Sequence, residues 1–194
     1  MGEMKSAFER AMERAEKMGT LSAEQMRQRR MAELAPVGQA AAQRYLEHGH
    51  EPLLREEIEK HSGEEKGIVL GAALATLVEA VSLTDNVFTE RALKGILALI
   101  DEDKAVEATA CIEQMALLLQ KFNDELERKF QHEKEAIEKA EMELLHRLRI
   151  SGSAVGPMNM TASEAWGAMY HDFSKSFSED LQMLKAKLIE KLAV

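Results

Sequence analysis

The sequence predicts an all-α protein, a helical bundle extended by a long antiparallel, coiled-coil-like helical hairpin. Aromatic residues make up only 5% of the 194 residues, with 3 Pro and 11 Gly, a composition poorly suited to a turn-rich β-sandwich. Apolar residues instead recur at spacings of three and four, the period of a helix with one buried face. Residues 102–149 contain neither Gly nor Pro, so nothing within them punctuates a helix.

The elements follow in order. Met4, Phe8, Ala11, Ala15 and Met18 form the seam of an amphipathic helix that Gly19 ends. Ser22 and Gln25 form a capping box that opens a second helix. Pro36 is expected to end or kink it, and a further stretch over 39–46 stops at Gly49. Glu51-Pro52 and Ser62-Gly63 bracket a short helix with Leu53, Leu54 and Ile58. Residues 1–63 therefore read as short helices, an N-terminal appendage or a cover over the bundle. Residues 64–194 read as the helical core and its arm, the whole forming one domain.

Residues 66–83 are Ala-rich and apolar nearly all round, the signature of a central helix. Gly67, Gly71 and Ala75 form a small-residue ridge that would let a neighbour approach closely. Thr76, Glu79 and Ser82 interrupt the apolar stretch, and it falls short of the ~20 residues needed to span a membrane. Thr84, Asp85 and Asn86 supply an N-cap for a helix over 86–100. Asp101, Glu102 and Asp103 then open the helix over 102–149, where negative charge suits the helix dipole. Its seam runs through Ile112, Met115, Leu119, Phe122, Leu126, Phe130, Ile137, Ala140, Leu144 and Leu148, and Glu133 interrupts it. Residues 150–160, with Ser151-Gly152-Ser153 and Gly156-Pro157, form a loop. Thr161 and Glu164 cap a last helix over 162–192, which carries Trp166, Tyr170, Phe173, Phe177, Leu181, Leu184, Leu188 and Leu192.

A helix of about 48 residues is roughly 72 Å long, whereas a globule of this size is roughly 40 Å across. The arm is therefore expected to protrude. The last helix covers one face of the long one and leaves Phe122, Phe130, Leu145 and Met169 partly uncovered, so a homodimer through the arm is expected. The expected interaction surface comprises Phe122, Phe130, Ser151, Ser153, Trp166, Tyr170 and Phe173.

Charge and cysteine content narrow the chemistry. Twenty-five basic against 34 acidic residues give a net charge of −9, which opposes nonspecific phosphate contact and argues against nucleic acid as a partner. Arg27, Arg29 and Arg30 form one basic knot, read as an exposed face or a contact with the acidic middle segment. The first twenty residues alternate charged and apolar positions, unlike a secretory signal. One cysteine, Cys111, rules out an internal disulfide, so a reducing cytoplasmic setting is expected. A buried thiol is the reading for that residue.

Glu-x-x-His occurs as Glu47 with His50 and as Glu143 with His146, the spacing that pairs ligands in two-iron bundles. Composition alone produces about one such match. His146 lies off the seam, and Glu79 is the carboxylate expected to look inward. Glu79, Glu143 and His146 are thus the metal candidates. His48, His50 and His61 cluster in sequence without completing a recognisable ligand set. Ser153 lacks the preceding strand of a nucleophile elbow, and its loop matches no phosphate-binding fingerprint. No catalytic residue and no cofactor is assigned.

The reading that results is a non-enzymatic, oligomeric interaction or scaffold protein, with a helical protein as a possible partner class and no membrane partner. One alternative is a bundle that binds a metal or small ligand near Glu79. Another is a chaperone-like holdase using its arm. Residues 5–14, Leu21-Ser22-Ala23-Glu24 and Ile150-Ser151-Gly152-Ser153-Ala154-Val155-Gly156-Pro157 resemble a group of small bacterial all-helical proteins with a Ser-Gly-Ser-Ala-Val-x-Pro loop. The resemblance implies a bacterial, cytoplasmic, helical protein; the group carries no assigned activity.

Overall fold

The computed structural model describes residues 23–100, 102–149 and 164–192. They form six helices: α1 (Ala23–His48), α2 (Glu51–Glu59), α3 (Gly63–Ala80), α4 (Asn86–Leu99), α5 (Glu102–Arg147) and α6 (Glu164–Leu192). The all-α prediction holds, and no strand occurs among the described residues. None of the described helices is long and apolar enough to cross a membrane. The Met4 to Met18 seam, the Ser22 and Thr161 capping residues, and Ser151 and Ser153 lie outside the described residues.

Helix α3 is the centre of the fold. Its Val69, Ala73, Leu74, Leu77 and Val78 are buried, and α1, α2, α4 and α6 all pack on it. Along α1, Ala41, Ala42, Tyr45 and Leu46 are buried in the same core. Pro36 does not end α1, which stays helical through it. Proline removes one helical hydrogen bond, but the core grips the chain on both sides of it through Leu34 and Val37. The close approach in this interface comes from Gly38. A Cβ there would lie 2.1 Å from the Val69 carbonyl oxygen. The Gly67 ridge does not serve this purpose, because a Cβ on Gly67 would meet nothing within 4 Å.

Local chemistry closes the elements. Gly49 ends α1 at φ +73°, and its amide donates to the Tyr45 carbonyl at 2.7 Å. The last carbonyls of α1 find a partner far along the chain: Arg91 Nη1 donates to Leu46 and Glu47 at 2.6 and 2.8 Å, satisfying acceptors that the helix itself leaves open. Pro52 lies in the first turn of α2, where its missing amide costs nothing. Asp85 caps α4 as expected, its Oδ1 accepting from the Phe88 amide at 2.9 Å. Thr89 Oγ1 accepts from the Ser82 amide and donates to the Ser82 carbonyl, pinning the turn between α3 and α4.

Helices α5 and α6 run antiparallel. Lys191 pairs with Glu107 at 2.7 Å, the Cys111 thiol donates to the Leu184 carbonyl at 3.4 Å, and Phe130 meets Trp166 at 4.7 Å between centroids. At 46 residues, α5 is roughly 69 Å long. The carboxyl-terminal half of α6 joins the main core through Leu181, Leu188 and Leu192. Its start joins a second cluster, in which Leu126, Phe130, Met169 and Tyr170 surround Trp166. Because α6 begins near the partner of Phe130, α5 continues roughly four further turns with no described residue beside it.

The glycines give a sign-opposed test. Gly38→Ala forces a Cβ onto backbone and is expected to destabilise by about 1–3 kcal/mol. Gly67→Ala fills open space and is expected to stabilise by about 0.5–1 kcal/mol. Urea unfolding of the two variants measures both.

Candidate functional site at the junction of core and arm

The aromatic residues singled out in the sequence meet inside the chain. Phe122, expected to be partly uncovered, is 1% exposed. Its ring stacks on Phe173 at 5.5 Å and meets Phe177 and Tyr170 edge-on at 5.3 and 6.2 Å. Trp166 is buried against Phe130. The register of α6 sets three rings around Phe122, so Phe122, Trp166 and Phe177 are buried between α5 and α6 while Phe130, Tyr170 and Phe173 stay half-buried. Lys121 and Lys129 lie over the Phe177 and Phe173 rings at 5.9 and 5.4 Å, closing the stack with contacts worth about 0.5–1 kcal/mol each when exposed. Further out along α5, Leu144 and Leu148 are 47% and 60% exposed.

The metal candidates do not converge. Glu79, Glu143 and His146 are all exposed, and among the described residues no group of three or more His, Cys, Asp or Glu side chains could hold a metal ion. The expectation that the Glu79 carboxylate looks inward is corrected: only its backbone carbonyl takes part in the buried contact below. His48 and His50 line a cleft of about 300 Å³ between α1 and α2 together with Arg44 and Lys60. The basic knot is an exposed face. Arg27 and Arg30 reach Glu64 at 3.7 and 3.2 Å, and Arg29 pairs with Glu33 at 2.9 Å. Cys111 is buried, and burial pushes its thiol up from the usual range, so it is a poor nucleophile.

The residue that the sequence reading passed over is Lys185. Among the described residues it is the one buried charged side chain, at 5% exposure. A seam through Leu181, Leu184 and Leu188 describes a helix with a single neighbour. In the fold α6 lies between α5 and α3, so its buried arc is wider and takes in position 185, four residues beyond Leu181. The Lys185 Nζ donates to the Glu79 carbonyl at 2.9 Å, capping the last turn of α3, where a cation suits the negative end of the helix dipole.

A cleft of about 360 Å³ opens beside this contact. One wall is the end of α3 and the following turn, with Glu79, Val81, Ser82, Leu83 and Thr84; the other is α6, with Tyr170, Ser174, Ser178, Leu181, Gln182 and Lys185. The Ser174 hydroxyl donates to the His171 carbonyl in its own helix, and Ser82 Oγ accepts from the Asp85 amide. Burial pulls the Lys185 ammonium below the usual lysine range, and the Glu79 carboxylate opposes that shift. The cleft therefore presents an amine, hydroxyl groups and an apolar floor.

Comparison with protein-family models, with curated proteins and with solved structures gives no match to the chain.

The Lys185 shift has a consequence for stability. With a folded value below the unfolded one, the unfolded chain binds more protons as pH approaches the ordinary lysine value of 10.5. The penalty that the ammonium imposes on the folded state is relieved over that window. The stability difference between the wild-type protein and Lys185→Met, from urea unfolding at pH 7 and pH 10.5, is expected to move in favour of the wild type as pH rises. Titration of tyrosines and Cys111 is common to both chains and cancels in the difference.

Proposed function

We propose that the protein is a non-enzymatic helical interaction protein that assembles with a second copy of itself through the distal end of its arm. The observation that carries this reading is the exposure of Leu144 and Leu148. Both lie on the α5 stripe that runs through the buried Met115, Leu119 and Phe122, the stripe that α6 covers nearer the core. A two-fold interface places one such stripe against its own copy, so each subunit supplies the apolar surface the other lacks. The flanking positions alternate acidic and basic residues, such as Glu143 and Arg147, which keeps the arm hydrated while leaving the stripe available.

The reading places the protein in the bacterial cytoplasm. Its support is the helical resemblance together with one buried thiol and an exposed, charged surface. Partner recognition by helical surfaces fits the same architecture, with self-association as the first contact the arm makes.

Sedimentation velocity at micromolar concentration tests the proposal. The wild-type protein is expected to be a dimer, and Leu144→Asp with Leu148→Asp is expected to be monomeric with the same helix content by circular dichroism. A wild-type monomer, or a double variant that remains dimeric, would overturn it. A wild-type monomer that suppresses aggregation of an unfolded model protein would point to the holdase reading instead.

A further inference from the structure

We propose that the cleft between the end of α3 and α6 is a site for a small, neutral, hydroxylated aldehyde, which Lys185 captures as a reversible imine. The proposal is independent of how the arm assembles.

The geometry supplies each requirement. Lys185 is buried, yet it lines a cleft of about 360 Å³, room for a compact polar molecule. One N–H is committed to the Glu79 carbonyl at 2.9 Å, and no other hydrogen bond holds the group among the described residues. That bond fixes the nitrogen at the end of α3, beside the cleft that Lys185 lines, and in the neutral amine it leaves the lone pair free. Burial favours that neutral form, the route by which a lysine becomes a nucleophile near neutral pH. Thr84, Ser178 and Gln182 line the same cleft, and their side chains make no hydrogen bond among the described residues, so they can bind a carbonyl oxygen and its neighbouring hydroxyl groups.

Electrostatics selects the ligand class. The Glu79 side chain and the negative end of the α3 dipole adjoin the cleft, so an anion is repelled. A cationic carbonyl compound would be repelled by the positive charge of the protonated imine that its capture creates. A neutral carbonyl compound escapes both penalties. The Nζ lone pair attacks the carbonyl carbon, and the proton lost from nitrogen passes to the carbonyl oxygen to give a carbinolamine. Loss of that hydroxyl as water, taking one proton from solvent, leaves a protonated carbon–nitrogen double bond whose remaining N–H still reaches the Glu79 carbonyl. No oxidant or reductant is consumed, and added water reverses the step.

The experiment uses the full chain at pH 7 with glycolaldehyde and cyanoborohydride, which reduces the imine to a stable secondary amine. Peptide mapping by mass spectrometry then follows each lysine. Lys185 is expected to label faster than the exposed Lys121, because a lysine pulled below the usual range by burial holds more neutral amine. The amino terminus, with an ordinary value of about 8, serves as the internal reference. Ser178→Phe, which fills the cleft from the exposed wall, is expected to slow Lys185 labelling at least fivefold and leave Lys121 unchanged. Labelling of Lys185 no faster than Lys121, labelling only in urea, or a rate indifferent to Ser178→Phe would overturn the proposal. Each of those results would leave Lys185 as a helix cap alone.

Discussion

Helix α3 is apolar over most of its length, with Val69, Ala73, Leu74, Leu77 and Val78 buried, and four of the other helices are arranged against it. Burial of apolar surface is the dominant favourable term in folding, and a helix of this kind obtains it only by acquiring several neighbours. Helix α1 comes close enough because Gly38 lets backbone meet the Val69 carbonyl. Helix α4 achieves the same at Gly95, where a Cβ would lie 2.5 Å from the Tyr45 ring and 3.1 Å from Leu77. One glycine on each flanking helix thus sets the spacing of a three-helix junction, and Tyr45 fills the space that the second glycine leaves.

Enclosing α3 also draws α6 away from a simple pairing with α5. A helix shared between two neighbours buries a wider arc than one paired with a single partner, and the extra positions include a lysine. Burying a charge is costly unless it is paired or hydrogen-bonded. Here the C-terminal carbonyl of α3 accepts the bond, so the helix that requires cover also supplies the acceptor for the charge brought in to cover it. The same arrangement leaves the cleft on the polar side of α6, because Ser174, Ser178 and Gln182 are too short or too polar to close the gap against the α3–α4 turn.

The features legible in the sequence are those settled within a few residues. The stop at Gly49, the Asp85 cap and the uninterrupted run from Glu102 depend on local conformation and backbone satisfaction, and the fold realises them. Pro36 does not stop α1 because packing on both sides of it outweighs its local penalty. The Gly67 ridge misled because small residues permit close approach without choosing which helix makes it. Phe122 and Trp166 were correctly placed on facing helices, but their occupancy depends on register, which a seam alone does not fix. Lys185 was missed because the second neighbour of α6 is determined by the path of the whole chain. Helix periodicity shows which face is buried, and tertiary topology decides how wide that face is.

The separation between the main core and the Trp166 cluster gives the molecule two tiers of stability. The distal cluster has few members and belongs to two helices alone, whereas α3 is locked by contacts from four. Opening the outer turns of the arm therefore requires only a fraction of the global unfolding free energy. Backbone amides there exchange with solvent through excursions in which the centre stays closed, so the arm can sample loosened conformations continually while the junction beneath it keeps its shape.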